Sequence, residues 1–415
     1  MSNLTKQITR NQGIGLLATT LLGTGVFILP QLTVDLAGFN ALYSWVGLTF
    51  AILPIVWVFA KLASIFSHAA GPAYFVEKAF GSLFGRLVGL LFVTAVPIGA
   101  SAAMMMVMEF MQLMFTLTVR ESFYAQLCLL FAIWLLNIRG VKLSATIQLA
   151  LTLAITAVVI AMISLFSVTE AIALETHTTF DTSTTLLAAG IAFWSFLGIE
   201  AVSHFSSEFK DPRKDFVPAM LIGTGLVGLL YIACVWLVLS QPNASTSAMV
   251  IVFDDLFGAG GRWIIGVLGV TAGLATINVY VGGVARLAWS LSNESVLPRY
   301  FAQLNHQQVP QRAANMVTLA MAGVITLQFN FSLPFELFLS WTNGVFVIIY
   351  AASMLAATKL LPRKYLIASF CGLSTCIAIG FGLADSMLYA VVMSCIIYPL
   401  LALQQKRHQR QQITV

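Results

Sequence analysis

Residues 19–30 read TTLLGTGVFILP, and residues 191–202 read IAFWSFLGIEAV. Each lies inside a stretch apolar enough to cross a bilayer, and each is interrupted by glycine: Gly23-Thr24-Gly25 in the first, Gly198 in the second. Glycine disfavours a helix interior, so each stretch reads as two half-helices joined at a break. Interrupted hydrophobic segments at corresponding places in two halves of a chain point to the substrate site of a transporter. For Gly23-Thr24-Gly25 alone, close helix packing is the competing reading. The second break shifts the balance to a site.

Composition agrees. The chain has 415 residues, 59% of them hydrophobic and only 9% charged. A soluble domain carries about 25% charged residues. The long apolar runs favour helices over a β-barrel, whose strands would be short and alternating. A bilayer core needs about 20 helical residues. That rule gives twelve expected spans, at 13–37, 40–66, 87–117, 123–139, 143–168, 183–207, 216–240, 262–291, 313–330, 334–358, 364–382 and 385–403. The first span is too long for a cleaved signal peptide and no small-residue cleavage site follows it. The five cysteines all fall in apolar spans without a Cys-x-x-Cys pair, and read as small buried hydrophobes.

With both termini placed in the cytoplasm, 19 of the 21 Lys and Arg residues fall on the inner side, and only Arg120 and Arg262 fall outside. The outer loop 169–182 carries Glu170, Glu175 and Asp181 with no basic residue. This is the distribution the positive-inside rule requires, and it accounts for the net charge of +5 without nucleic acid. The breaks fall in the first and sixth spans. Five intervening steps reverse the direction of entry, so a repeat of five helices must be inverted. The expected organisation is one transmembrane domain over 1–415, with repeat one at 13–168, repeat two at 183–358, and two extra helices at 364–403.

Five segments carry a family resemblance: GTGVFILP at 23–30, GPAYFVEKAFG at 71–81, FWSFLGIEAV at 193–202, KDPRKDFVPAM at 210–220 and ARLAWSLSNESVLPRYFAQLNHQQVP at 285–310. In this order the chain resembles the amino acid–polyamine–organocation transporters, and within them the exporters of neutral apolar amino acids. The resemblance implies the five-plus-five inverted-repeat fold of the leucine-transporter class and alternating access. It implies export of methionine, leucine, isoleucine and valine from the bacterial cytoplasm across the inner membrane. It implies no cofactor and a monomer or homodimer. Uptake or exchange of cationic amino acids or polyamines is the alternative, and a channel or membrane receptor stands further off.

An amino acid offers a carboxylate and an ammonium, and burying either without partners is costly. The N–H groups of Thr24, Gly25 and Val26 begin a half-helix whose positive end suits the carboxylate, with Gly23 and Gly25 allowing close approach. The carbonyls of Leu21 and of Trp194 or Leu197 suit the ammonium. The resemblance places Trp194 over the substrate and Tyr280 near a second gating aromatic. The methionine-rich stretch 104–114 suits an adaptable apolar pocket, and its candidates are Ala102 and Met106. Glu200 is an intramembrane acid, hence a functional candidate. It either carries a proton that couples to substrate release or braces the unwound backbone. His204, four residues on, could pair with it. Glu109 and Asp35 read as interfacial, and Arg286 as a structural cation at the inner gate. The fifth span lacks the lysine that replaces sodium in some relatives. GIGLLA at 13–18 mimics a dinucleotide fingerprint, but no strand precedes it. Neither a metal-ligand cluster nor a Ser-His-Asp arrangement is present, so an enzyme is not expected.

Overall fold

The computed structural model describes residues 8–23, 25–68, 70–139, 144–165, 180–203, 205–206, 209–240 and 248–413. Thr24, Lys142, Glu170, Glu175, His177 and His204 therefore lie outside the described residues. The fold is all helical, and among the described residues the one β feature is a bridge between Ile8 and Phe209.

The first span is two helices, α1 (Arg10–Leu22) and α2 (Gly25–Ala37), bent by 40° at the break. A capping box of Thr9 and Gln12 starts α1 by satisfying orphan N–H groups. It stops at Gly23, whose φ of 38° and ψ of −132° suit glycine. Then follow α3 (Asn40–Ile65), a short α4 (Pro72–Phe80), α5 (Ser82–Met114), α6 (Val119–Arg139) and α7 (Ser144–Leu165). The second broken span is α8 (Thr182–Ala192), a 3-10 turn over Phe193–Phe196, and α9 (Ile199–Ser203). Asp181 caps α8, and the Ser183 hydroxyl, then the Thr184 N–H, hold its carboxyl down to about 2. After these come α10 (Val217–Leu239), a short α11 (Ala248–Phe257), α12 (Gly261–Asn293), α13 (Gln311–Phe331), α14 (Phe335–Leu360), α15 (Leu366–Leu383) and α16 (Met387–Ile413).

Among the described residues, nine helical runs are long and apolar enough to cross a membrane, or ten with α1 and α2 taken as one bent span. This is fewer than the twelve expected from hydropathy, for two reasons. Leu149–Ser164 of the 22-residue α7 stands among the shorter apolar helices, and Arg363–Lys406 forms one apolar run of 44 residues containing both α15 and α16. Large apolar side chains such as Phe50, Phe131, Leu319, Ile367 and Phe381 face outward, as lipid contact requires. Cys234 and Cys376 are buried, but Cys128, Cys371 and Cys395 occupy outward faces, so burial holds for only two of the five. Asp35 and Glu109 are also exposed.

Helices α5 and α12 pack along each other, as do α3 with α10 and α1 with α7 and α10. Lipid tails give little hydrophobic drive between helices, so small residues set the approach. A β-carbon on Gly15 would stand 2.6 Å from Leu149 Cα, which is backbone of α7 and cannot swing aside. Gly15→Val should therefore pry α1 from α7, costing about 1–3 kcal/mol. A lowered melting temperature of the detergent-purified protein is the expected result.

Candidate functional site

The two breaks touch. Leu197 is extended (φ −73°, ψ 130°) and Gly198 takes φ 137°, a conformation open to glycine. A β-carbon on Gly198 would come within 2.8 Å of Thr20 Cγ2 and 3.1 Å of Leu21 Cδ2. Beside this junction lies a cavity of about 460 Å³, its open mouth included. One wall is the first break, with Thr20, Leu21, Leu22, Gly23 and Gly25. Trp194 and Leu197 of the second break form another. Helix α5 contributes Val96, Gly99, Ala100 and Ala103, α12 contributes Thr276, Ile277 and Tyr280, and α14 contributes Thr342 and Phe346. None of these lining side chains is charged.

The cavity thus gathers Leu21, Gly23, Gly25, Trp194, Leu197 and Tyr280 from the sequence-derived candidates. Val26 is fully buried just behind the wall, and Thr24 lies outside the described residues. Ala102 and Met106 are not on the lining. The α5 face toward the cavity is Val96, Gly99, Ala100 and Ala103, and Ala102 is rotated from it by about 100° into a cluster with Met105 and Phe338. Met106 continues the Gly99–Ala103 stripe but sits a turn beyond the cavity, fully buried.

The backbone groups released by the first break are engaged. An α-helix leaves its last four carbonyls without intrahelical partners, here those of Thr19, Thr20, Leu21 and Leu22. The Thr276 hydroxyl lies within donating reach of Thr19 O at 3.1 Å, Thr20 O at 3.3 Å and Ala272 O of its own helix at 3.1 Å, and Gly23 N also reaches Thr19 O, at 2.9 Å. Tyr231 Oη donates to Leu21 O at 3.1 Å and Leu22 O at 3.2 Å. The Tyr231 ring stacks on Trp45 at 4.4 Å, and Trp45 Nε1 donates to Thr33 Oγ1 of α2 at 2.9 Å. The Leu21 carbonyl expected to await an ammonium thus already accepts a phenol.

At the second break the polarity is reversed. Gly198 N donates to both carboxylate oxygens of Glu200, at 3.1 and 3.0 Å. Tyr280 Oη donates to Glu200 Oε1 at 2.9 Å, and Tyr350 Oη donates to Glu200 Oε2 and, at 3.3 Å, to Phe196 O. Glu200 is wholly buried, yet every oxygen has donors. It braces the unwound turn and stands one layer behind the cavity, with Tyr280 between. Arg286 stacks on Phe205 at 4.5 Å and donates to Gly282 O at 3.0 Å, just past the C-terminal end of the second broken span.

Sequence reasoning missed Tyr231, Thr276 and Tyr350. Their signal was weak: a tyrosine buried in an apolar helix must place its hydroxyl somewhere. Among the described residues no group of His, Cys, Asp and Glu could hold a metal ion.

Paired helix breaks facing an uncharged cavity, between helices long and apolar enough to cross a membrane, are the architecture of a small-molecule transporter. A sequence profile described as amino acid permease matches residues 12–406, and the chain belongs to that family, a multi-pass membrane protein that takes amino acids as substrates. It is 34% identical over 400 residues to the L-methionine/branched-chain amino acid exporter YjeH of Escherichia coli (strain K12), covering 95% of each chain. It is 25% identical to the uncharacterized amino acid permease YecA of Bacillus subtilis (strain 168), over 96% of this chain and 94% of that one. It is 20% identical to the cadaverine/lysine antiporter of Escherichia coli (strain K12), over 75% and 73%.

Tyr350→Phe keeps the ring but withdraws one donor from Glu200 and from Phe196 O. Leaving buried acceptors short costs about 1–3 kcal/mol, expected as a lower melting temperature with an unchanged aromatic core.

Proposed function

We propose that the protein is a secondary transporter that exports neutral apolar amino acids, L-methionine, leucine, isoleucine and valine, across the bacterial inner membrane by alternating access. The observation that carries this reading is the uncharged cavity at the meeting of two helix breaks. The α2 N-terminus at Gly25 suits a carboxylate. The Leu197 carbonyl suits the ammonium, Trp194 O being engaged by Leu197 N at 3.1 Å, and Val96, Ala100, Ala103, Ile277 and Phe346 offer an apolar side chain its surroundings. The named substrates follow the relative that is 34% identical. Cationic amino acids or polyamines fit less well: they need a carboxylate in the pocket, and Glu200 stands behind Tyr280 with its oxygens already engaged.

In this reading the chain spans the membrane twelve times with both termini cytoplasmic. A straight run over Arg363–Lys406 would extend about 66 Å, twice a bilayer core. Ala384 takes φ 44° between α15 and α16, and both pack on α14, so the run folds back as two spans. The inverted repeat is supported by matched elements. A broken span, a long helix, a short helix, then helices of 33 and 21 residues occur as α1 to α6. The same order recurs as α8 to α13, again with 33 and 21 residues. Corresponding helices α3 and α10, α5 and α12, and α6 and α13 pack on one another, as a pseudo-two-fold axis demands.

Glu200 is the coupling residue in this scheme. Gly198 N and two phenols all donate to it, so a proton arriving on Glu200 displaces a donor and loosens α9 from α12 or α14. A proton entering down 100 mV supplies about 2.3 kcal/mol, enough to drive a neutral substrate outward.

Purified protein in liposomes should exchange leucine and methionine by counterflow, and an imposed proton gradient should drive net movement independently of sodium. Gly25→Val should abolish exchange, since its added carbons meet Tyr231 Oη and Leu29, where even a β-carbon would stand 2.7 and 2.8 Å away. Glu200→Gln should retain exchange but lose gradient-driven transport. Competition by arginine or putrescine and none by leucine would reverse the substrate assignment.

A further inference from the structure

Tyr231 belongs to α10, which contributes nothing to the cavity lining, yet its hydroxyl reaches the centre of the first break. It takes Leu21 O and Leu22 O, while Thr276 takes Thr19 O and Thr20 O. Two hydroxyls from two helices thus stand within hydrogen-bond reach of all four carbonyls at the end of α1, each proton shared, and that of Thr276 shared also with Ala272 O of its own helix at 3.1 Å. The Tyr231 hydroxyl also stands beside the start of α2: a β-carbon on Gly25 would lie 2.7 Å from it. Its ring is fixed by the 4.4 Å stack on Trp45, and Trp45 is tied to α2 through Thr33. One side chain therefore sets the position of both half-helices.

A helix break has two chemical ends. The end of α1 offers acceptors, which attract ammonium groups, and the start of α2 offers N–H donors, which attract carboxylates. In this protein the acceptor end is capped from within. The donor end, at Gly25, opens on the cavity.

We infer that Tyr231, assisted by Thr276, is a positioning residue that makes the first break selective for the substrate's carboxylate by occupying the carbonyls that would otherwise receive an amine. The inference rests on the transport reading above and deepens it. It explains how a site built from a broken helix discriminates an amino acid from the amine that shares its side chain. An amine lacking the carboxylate meets capped carbonyls at this break and leaves the α2 donors empty.

The test compares leucine with isoamylamine, its counterpart without the carboxylate, as competitors of radiolabelled leucine counterflow in proteoliposomes. The wild type should strongly prefer leucine. Tyr231→Phe keeps the stack on Trp45 but frees two carbonyls and loosens α2. Its preference for leucine over isoamylamine should fall roughly tenfold, the worth of a hydrogen bond in such a site. KM for leucine should rise while kcat stays within about twofold, a split that general loss of structure would not give. Thr276→Val should act in the same direction, and Thr276→Ser, which keeps the hydroxyl, should match the wild type. If Tyr231→Phe does not fold, the Thr276 pair decides. Unchanged discrimination in the folded variants overturns the inference and leaves the transport reading intact. A wild type that shows no exchange of leucine overturns both.

Discussion

A peptide group freed inside a bilayer finds no water, so a helix broken at mid-membrane survives only if the protein itself supplies partners. This constraint organises the centre of the molecule. At the first break the exposed groups are carbonyls, and they meet hydroxyl donors from Tyr231 and Thr276. At the second the Gly198 N–H is exposed, and it meets the Glu200 carboxylate. The chemistry is complementary: donors cap the first interruption and an acceptor caps the second.

These caps come from distant helices, so they also fix the packing. Tyr231 ties α10 to the first span, Thr276 and Tyr280 tie α12 to both, and Tyr350 ties α14 to the second. The small residues complete the arrangement. A β-carbon on Gly23 would stand 2.7 Å from Thr276 Oγ1, so only glycine lets that hydroxyl reach the α1 carbonyls. On Gly99 it would stand 2.7 Å from Thr342 Cγ2, so α5 and α14 close around the cavity only where α5 lacks a side chain. Glycine therefore serves two purposes in this protein, turning the chain at Gly23 and Gly198 and admitting neighbours at Gly15 and Gly99.

The breaks were legible in the sequence because glycine in an apolar run is a local signal. Glu200 was legible because an acid beside a break stands out against aliphatic surroundings, whereas Trp194 and Tyr280 came from the family resemblance. The face of α5 was not. The cavity lining holds Ala100 and Ala103 where the sequence reading offers Ala102 and Met106, a difference of about 100° and one turn, and a helix that is apolar all round gives no moment to orient it. The caps were hidden for another reason. Tyr231 lies 210 residues from Leu21, and Thr276 lies 257 from Thr19. No periodicity within a single helix encodes such pairs. The short α4 and α11 also escaped the hydropathy count, being too brief to register as spans.

The separation of Glu200 from the cavity bears on how one protein can handle two charges of opposite behaviour. A carboxylate on the cavity wall would hold an ammonium directly and bias the site toward cations. Set behind Tyr280, it reaches the cavity only through a phenol that is shared between the wall and the carboxylate. Whatever shifts Tyr280 at the wall alters one of the donors on Glu200, and whatever alters Glu200 releases Tyr280. The coupling is reciprocal because a single hydrogen bond belongs to both sites, and thermodynamic linkage requires each to feel the other by the same free energy. In the proposed transport cycle, substrate occupancy and the state of the second break would be joined through α12 without the substrate contacting the acid, and the pocket would stay neutral.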